Sequence, residues 1–267
     1  MSQAVIHDAA VLIDDKDSVR ILSINRPTRR NALSLDVVDA LAAEVRRAAA
    51  DGTIRALVLT GVGGHFSAGG DADSIATVMD DPDPQLAVRF MRRYHDAIEA
   101  IWDSELPVVA AVAGVAYGGG FNLALVCDQI IAQDDARFCQ VFLRRNVVPD
   151  MGGAYLLPRL VGLHRAKDLM LRTGVVSAPQ AHDLGIVSEV VDDLVVDRAV
   201  TVAQEMTAGS RTAVAMTKRL VNTSTGGSLR DCMELEASSQ ALALSTDMAR
   251  SGFAAFRAVV DIESESA

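Results

Sequence analysis

From Leu106 to Cys127 the chain carries no charged residue, a run long enough to cross a bilayer as a helix. Two features break it. Pro107 stands at its start, and the triplet Gly118-Gly119-Gly120 divides the remainder. Val108–Val115, rich in valine and alanine, reads as a buried strand, and Phe121–Val126 reads as a short buried helix. The membrane-spanning reading is therefore set aside. A triple glycine between strand and helix lets backbone approach a ligand closely and leaves free N–H groups at the helix start. Donors of that kind can hold a developing negative oxygen.

The flanking pattern alternates strands with helices. Val11–Ile13 and Val19–Asn25 read as two strands around a polar turn, and Arg55–Thr60 as a short buried strand. Between them Ser34 is a plausible N-cap for a helix carrying Val38, Leu41, Val45 and Ala48 on one face. Asp73–Pro84 contains MDDPDP and reads as an exposed, mobile segment. Leu86, Phe90, Met91, Tyr94, Ile98 and Ile101 then mark one helix face, with core packing as the default role for Phe90, Met91 and Tyr94. Gln129–Ala132 and Arg137–Cys139 read as extended, and Ala154–Leu160 begins a helix. From Leu163 the pattern is mostly helical, with one long amphipathic stretch over Leu229–Val260 and a tail, ESESA, expected to be disordered. Strand–helix–strand alternation predicts a mostly parallel sheet with helices packed on it.

The chain has 267 residues, half of them hydrophobic but only 4% aromatic, so aliphatic packing must dominate its core. A net charge of −10 argues against non-specific binding to nucleic acid or anionic membranes. The opening MSQAVIHDAA lacks the pattern of a signal peptide, and three cysteines (Cys127, Cys139, Cys232) lack metal-ligand spacing. A cytoplasmic protein with reduced structural thiols is expected.

Four segments now stand in order: SINRPTRRNALS from Ser23, HFSAGGD from His65, PVVAAVAGVAYGGGFNLALVCD from Pro107 and VVPDMGG from Val147. Together they resemble the enoyl-CoA hydratase/isomerase (crotonase) family over roughly Val19–Asp192, and the C-terminal segment fits loosely. The resemblance implies an α/β crotonase-like spiral of ββα units, with an acyl-CoA-binding core over residues 1–200 and a helical trimerisation region over 201–267. It implies a homotrimer or a dimer of trimers acting on an acyl-CoA thioester, without nucleic acid or membrane insertion. No metal or redox cofactor is implied, coenzyme A arriving as part of the substrate.

The resemblance also places residues. The backbone N–H groups of Ala68 and Gly119 match the two oxyanion-hole donors, with Ser67, Gly69 and Gly118 beside them. Asp71 ends the FSAGGD motif and reads as an organiser of its loop. Arg29, Arg30 and Ala32 fall in the loop that lies along the nucleotide end of coenzyme A, although three arginines in a turn also read as a solvated surface. His65 has no visible partner and reads as structural. Near the C-terminus relatives carry a lysine-rich segment that binds the coenzyme; here GFAAFRAVVD lacks the lysine, and that contact does not carry over.

The family's hydratases use two glutamates. Their positions hold Asn122 and Phe142 here, neither able to exchange a proton usefully near neutral pH, so both are expected to line the acyl pocket as non-acids. Asp150 falls where several isomerases of the family carry their catalytic carboxylate. Burial among Val147, Val148 and Met151 would raise its pKa toward a useful range. A bare helix cap is its other reading. Asp128 reads as structural, and Arg144 and Arg145 leave open solvent, a subunit contact or an acidic acyl group. The expectation is an enoyl-CoA isomerase working through a stabilised enolate with one aspartate as proton shuttle. The alternatives are an enoyl-CoA hydratase, another enolate reaction on the same hole, or a catalytically silent acyl-CoA binder. No serine–histidine pairing appears for a peptidase.

Overall fold

The computed structural model describes residues 9–265 of the chain and the side chains of residues 9–257. The expectation for the N-terminus falls on residues 1–8, outside the described residues. β1 (Val11–Lys16) and β2 (Val19–Ile24) form an antiparallel hairpin, followed by α1 (Leu35–Ala50) and β3 (Ala56–Gly61). Next come α2 (Ala72–Asp80), α3 (Pro84–Trp102), β4 (Val108–Val112), β5 (Val115–Tyr117) and α4 (Gly119–Leu125). β6 (Gln129–Gln133), β7 (Arg137–Cys139), α5 (Gly153–Val161), α6 (Leu163–Arg172), β8 (Val175–Ser177) and α7 (Ala178–Asp183) follow. β9 (Glu189–Val191), α8 (Val195–Glu205), α9 (Arg211–Ser224), α10 (Leu229–Leu244) and α11 (Asp247–Glu265) complete the chain.

The large sheet runs β1-β2-β3-β4-β6-β9 and is parallel beyond the first hairpin; β5-β7-β8 form a second sheet. β4 lies in the middle and is buried at every residue. A central parallel strand has both faces covered, which explains its uncharged sequence. Alternate side chains divide between two cores. Leu57, Leu59, Val108, Ala110 and Val112 join the core with α1 and α3, whereas Val58, Val109, Ala111 and Ile131 meet Ala199, Val202 and Ala203 of α8. The expected division at residue 200 thus falls inside a helix whose later residues still pack on the sheet.

Each turn of the chain gives a strand to the large sheet, an extended piece to a second layer and one or more helices. The extended pieces meet in series: Leu33 bridges Gly70, Ser67 bridges Ala116, and β5 pairs with β7. Helices α2 and α4 start just after the second and third of these pieces, so equivalent positions in successive turns come side by side. That stacking builds the site.

Residues 72–80, in the segment expected to be exposed, are exposed and form a helix, which Asp71 caps by accepting from the Ser74 N–H at 3.1 Å. The amphipathic stretch from Leu229 divides into two helices. Thr246 interrupts it and accepts from the Ala249 N–H with its hydroxyl, starting α11. The tail is helical as far as Glu265. Asp128 is structural: its Oδ2 accepts from the Val108 N–H at 2.7 Å and from Lys218 Nζ at 2.8 Å. Lys218 also donates to the Ile101 and Leu106 carbonyls, which locks α9 to the core. No helix among the described residues is long and apolar enough to cross a membrane.

Candidate active site

The segment Phe66–Asp71 is held from both sides by main chain. Toward β5, the Ser67 N–H donates to the Val115 carbonyl and the Ser67 carbonyl accepts from Tyr117, both at 2.9 Å. Toward Leu33, the Gly69 carbonyl accepts from Leu33 at 2.8 Å and the Asp71 N–H donates back at 3.1 Å. In this register the Ala68 N–H donates to the Arg30 carbonyl at 2.8 Å. It is occupied within the protein, which corrects the expectation that Ala68 supplies an oxyanion donor. The N–H of Gly70 is the one that remains. It has no acceptor among the described residues, and Gly70 is exposed. Because Gly69 and Asp71 turn their polar groups to Leu33, the Gly70 N–H lies on the other side of the segment.

That side faces Gly119. A Cβ built on Gly119 would lie 3.8 Å from the Gly70 nitrogen, and one built on Gly69 would lie 3.2 Å from the Gly119 nitrogen. As first residue of α4, Gly119 has no acceptor for its N–H within the helix. Two free main-chain donors from successive turns therefore lie close together. Gly69 makes the approach possible: its φ is +92°, and a side chain there would stand 2.5 Å from the Tyr117 carbonyl oxygen. Gly118 and Phe142 flank the pair, the ring of buried Phe142 lying 3.7 Å from where a Gly118 Cβ would be.

Asp150 belongs to a turn folded over these glycines. Met151, buried with φ 45°, puts its sulfur 2.8 Å from a Cβ built on Gly119. The Asp150 Oδ1 is buried and has no hydrogen-bond partner among the described residues. Burial pushes the carboxyl up to about 6. The valines contribute little to this: Val147 is 49% and Val148 76% exposed, and of the three residues expected to bury the acid only Met151 is inside. The cap reading also fails. Gly152 is the N-cap residue of α5, without any side-chain cap bond.

Several expected contacts are spent on the scaffold. Ser67 is fully buried, its Oγ donating to the Asn31 carbonyl at 2.8 Å and accepting from the Gly69 N–H. Asn122 is fully buried, with both ends of its amide bonded inside the protein, so it does not line an open pocket. Asp71 is buried and pairs with Arg26 at 2.8 Å while accepting from the Ser74 backbone and hydroxyl. Burial opposes its charge, but the Arg26 and Ser74 hydrogen bonds outweigh it and hold the carboxyl below the usual range. Ala32 helps through its carbonyl, which accepts from Arg26. Arg29 forms an exposed ion pair with Asp73 at 3.0 Å, and Arg30 is exposed. Arg144 donates to the hydroxyl and carbonyl of Thr173, a contact within the fold. His65 is structural, accepting from the Val115 N–H.

Sequence reasoning missed Gly70, and it placed Tyr94 in the core, where it lies, without the bond that its hydroxyl makes. The buried Tyr94 hydroxyl donates to the Leu33 carbonyl at 2.6 Å, bracing the strand that holds Gly69 and Asp71. Its own ionisation is pushed up by burial first, then by the negative charges of Asp71 and Asp150. Gly70 had one legible signal. It stands directly before the cap of α2, as Gly119 stands at the head of α4. Among the described residues no group of three or more His, Cys, Asp or Glu could hold a metal ion.

The arrangement can stabilise a negative oxygen with two N–H groups and move a proton with one carboxyl poised near neutrality. The sequence profile of the enoyl-CoA hydratase/isomerase family matches residues 14–261. A 1,2-epoxyphenylacetyl-CoA isomerase of Escherichia coli (strain K12) is 34% identical over 249 residues, covering 93% of this chain and 95% of its own length. A protein of Mycobacterium leprae (strain TN) named as a probable enoyl-CoA hydratase is 35% identical over 80% of this chain and 74% of its own. Among solved structures, an enoyl-CoA hydratase from Polaromonas sp. JS666 superposes with a TM-score of 0.89 at 29% identity, covering 93% of this chain and 96% of its own. An enoyl-CoA hydratase/isomerase from Cupriavidus metallidurans CH34 does so at 0.87 and 34%, covering 93% of each chain.

Proposed function

Since this chain belongs to the enoyl-CoA hydratase/isomerase family, we propose that it is an isomerase that moves a double bond along an enoyl-CoA thioester. The Gly70 and Gly119 N–H groups hold the thioester oxygen as it gains charge. The Asp150 carboxylate takes a proton from the carbon next to the thioester of a 3-enoyl-CoA, leaving a dienolate. The carboxylic acid so formed returns a proton two carbons further along, which gives the 2-enoyl-CoA and restores the carboxylate. No atom is gained or lost and nothing is oxidised, so the proposal includes no metal or redox cofactor.

One observation carries this reading: Asp150 is the single carboxyl at the site with a buried, unpartnered oxygen, whereas Asp71 is locked by Arg26 and Ser74. Addition of water in the family's usual way needs two acids, and the resemblance puts Asn122 and Phe142 in those places. The isomerase name of the E. coli relative points the same way and suggests unsaturated or aromatic-derived acyl groups. A hydratase in which Asp150 alone activates water is the second reading, favoured by the names of most relatives. Self-association is part of the proposal. α10 and α11 leave Leu229, Met233, Met248, Phe253 and Phe256 exposed, an apolar surface suited to neighbouring subunits of a trimer or a dimer of trimers.

The test is to incubate the protein with 3-enoyl- and 2-enoyl-CoA and weigh the products. Interconversion without change of mass is expected. Gain of one water from 2-enoyl-CoA without isomerisation would replace the proposal by the hydratase reading.

A further inference from the structure

We infer that Asn122 and Gln140 form a buried amide strut that sets the position of the Asp150 carboxyl, so that Asn122 is a positioning residue for the proton shuttle. The inference rests on the proposed role of Asp150 as that shuttle.

Asn122 lies in α4 and is 0% exposed; Gln140, just after β7, is 1% exposed. The Gln140 Nε2 donates to the Asn122 Oδ1 at 2.7 Å, and the Asn122 Nδ2 donates to the Asp150 carbonyl at 2.9 Å. The same carbonyl accepts from the Gly153 N–H at 2.9 Å. The main chain of Asp150 is thus fixed by α4 on one side and by the first residue of α5 on the other. The bond directions identify each amide's orientation, since a carbonyl needs a donor and only Nδ2 of Asn122 can supply one.

The turn needs such a hold. Met151 and Gly152 are consecutive left-handed residues, with φ of 45° and 76°. For a side-chain-bearing residue like Met151 this conformation is costly by roughly 1–2 kcal/mol and persists only where its surroundings impose it. Gly153 shows how tightly the strut is fitted. A Cβ there would stand 2.4 Å from the Asn122 Nδ2 and Oδ1, so glycine alone admits the amide. Breaking the strut would leave buried donors and acceptors unpaired and release a strained turn, of which Asp150 is the first residue.

An acid at position 122 would defeat this arrangement. A carboxylate cannot donate to the Asp150 carbonyl, and its charge would stand beside the shuttle. The amide here therefore has a positive role beyond the loss of a proton carrier.

The test uses Asn122→Leu, Asn122→Asp and the milder Gln140→Met in the full-length protein. Three readouts are taken: melting temperature, the separate kcat and KM of isomerisation, and the titration of Asp150 by carbon NMR of labelled aspartate, assigned with Asp150→Asn. For folded Asn122→Leu we expect kcat to fall by roughly tenfold to hundredfold, the scale set by a misplacement of about 1 Å, with KM changed less than about threefold. Gln140→Met should lower kcat by a smaller factor with the same unchanged KM. The Asp150 titration should move down from about 6 toward the ordinary carboxylate range in Asn122→Leu, as the released turn admits water, and up in Asn122→Asp. If Asn122→Leu and Gln140→Met fold and leave both kcat and the Asp150 titration unchanged, the strut is only core filling and the inference falls. Should the Asn122 variants fail to fold, Gln140→Met decides by the same two readouts. An isomerisation rate unaffected by Asp150→Asn would overturn the shuttle instead, while the titration in Gln140→Met still tests the strut.

Discussion

Asp71 and Asp150 are two aspartates at the same site, each on a glycine-rich segment and each withdrawn from water. Asp71 has every need met: Arg26 on one oxygen, the Ser74 N–H and hydroxyl on the other. Asp150 has a buried oxygen with no partner among the described residues. The first carboxyl is held below the usual range and the second is pushed up to about 6. The contrast separates the two things a site must store. The Asp71 segment stores geometry, fixing the Gly70 N–H through a closed set of bonds; in the proposed mechanism the Asp150 turn stores reactivity, as a carboxyl whose buried oxygen no protein group satisfies.

Asp150→Asn tests the contrast most sharply. It keeps the shape and removes the proton exchange, so kcat should fall by roughly two to four orders of magnitude with thioester affinity nearly unchanged. In the wild type, kcat/KM should decline below about pH 6 as the base is protonated. Stability should move the opposite way. The folded protein keeps the Asp150 proton up to about 6, whereas the unfolded chain releases it near pH 3.9, about the unperturbed value. This contribution to stability is complete below the unfolded value and is lost as pH rises through the folded one. Asp150→Asn should therefore be more stable than wild type at pH 7.5, by ~2–3 kcal/mol, and the gain should shrink toward pH 4. Denaturant unfolding at the two pH values measures it; a variant less stable at pH 7.5 would mean that the carboxylate is satisfied by partners in the folded state.

Gly119→Ala attacks the geometry directly. Its methyl would meet the Met151 sulfur at 2.8 Å, displacing either the donor or the shuttle turn. A loss of roughly tenfold to hundredfold in kcat/KM is expected, below or near the ~3 kcal/mol of one lost oxyanion donor. A fully active variant would show that the Gly119 N–H is not used.

Asp71→Asn should act mainly on stability. Removing one member of a buried ion pair leaves Arg26 uncompensated, and a loss of ~2 kcal/mol at pH 7 is expected because Arg26 is partly exposed. The pH sign is the reverse of that for Asp150. Here the folded value is lowered, so the contribution is present above the unfolded value and lost as pH falls through the folded one. The gap between wild type and Asp71→Asn should close on acidification. If both aspartate variants showed the same sign of pH dependence, the comparison between the two segments would not hold.

These residues also show what was legible in the sequence. Gly119 and Asp150 were singled out because their motifs carry them, and the structure brings their turns together; the uncharged run marked β4 because a doubly covered strand excludes charge. Gly70 was missed by two positions. A main-chain donor leaves no side chain to read, and which N–H in Phe66–Asp71 stays free depends on pairing with Leu33 and β5, partners far away in the chain. Asn122 was read as lining a pocket because its identity says nothing of burial, and its role appears only with Gln140 and the Asp150 carbonyl in place. Val147 and Val148 misled for the same reason, being apolar yet exposed.

The smallest expected effect concerns Arg29, on the loop before α1, whose next residue, Arg30, accepts from the Ala68 N–H. Its ion pair with Asp73 joins side chains that are 59% and 71% exposed. Pairs of that kind contribute between nothing and about 1 kcal/mol, so Arg29→Ala should change stability by less than about 0.5 kcal/mol. The family resemblance places this loop along the nucleotide end of coenzyme A, where a guanidinium would meet phosphate rather than Asp73. If Arg29 exchanges one partner for the other, KM for the acyl-CoA should rise severalfold in Arg29→Ala while kcat stays constant. That difference should fade as salt is raised, since exposed charges are screened within about 8–10 Å at moderate ionic strength. The companion variant Asp73→Ala leaves Arg29 free of its competitor and should lower KM slightly. KM values for both variants equal to wild type at low salt would show that Arg29 belongs, with Asp73, to the solvated surface alone.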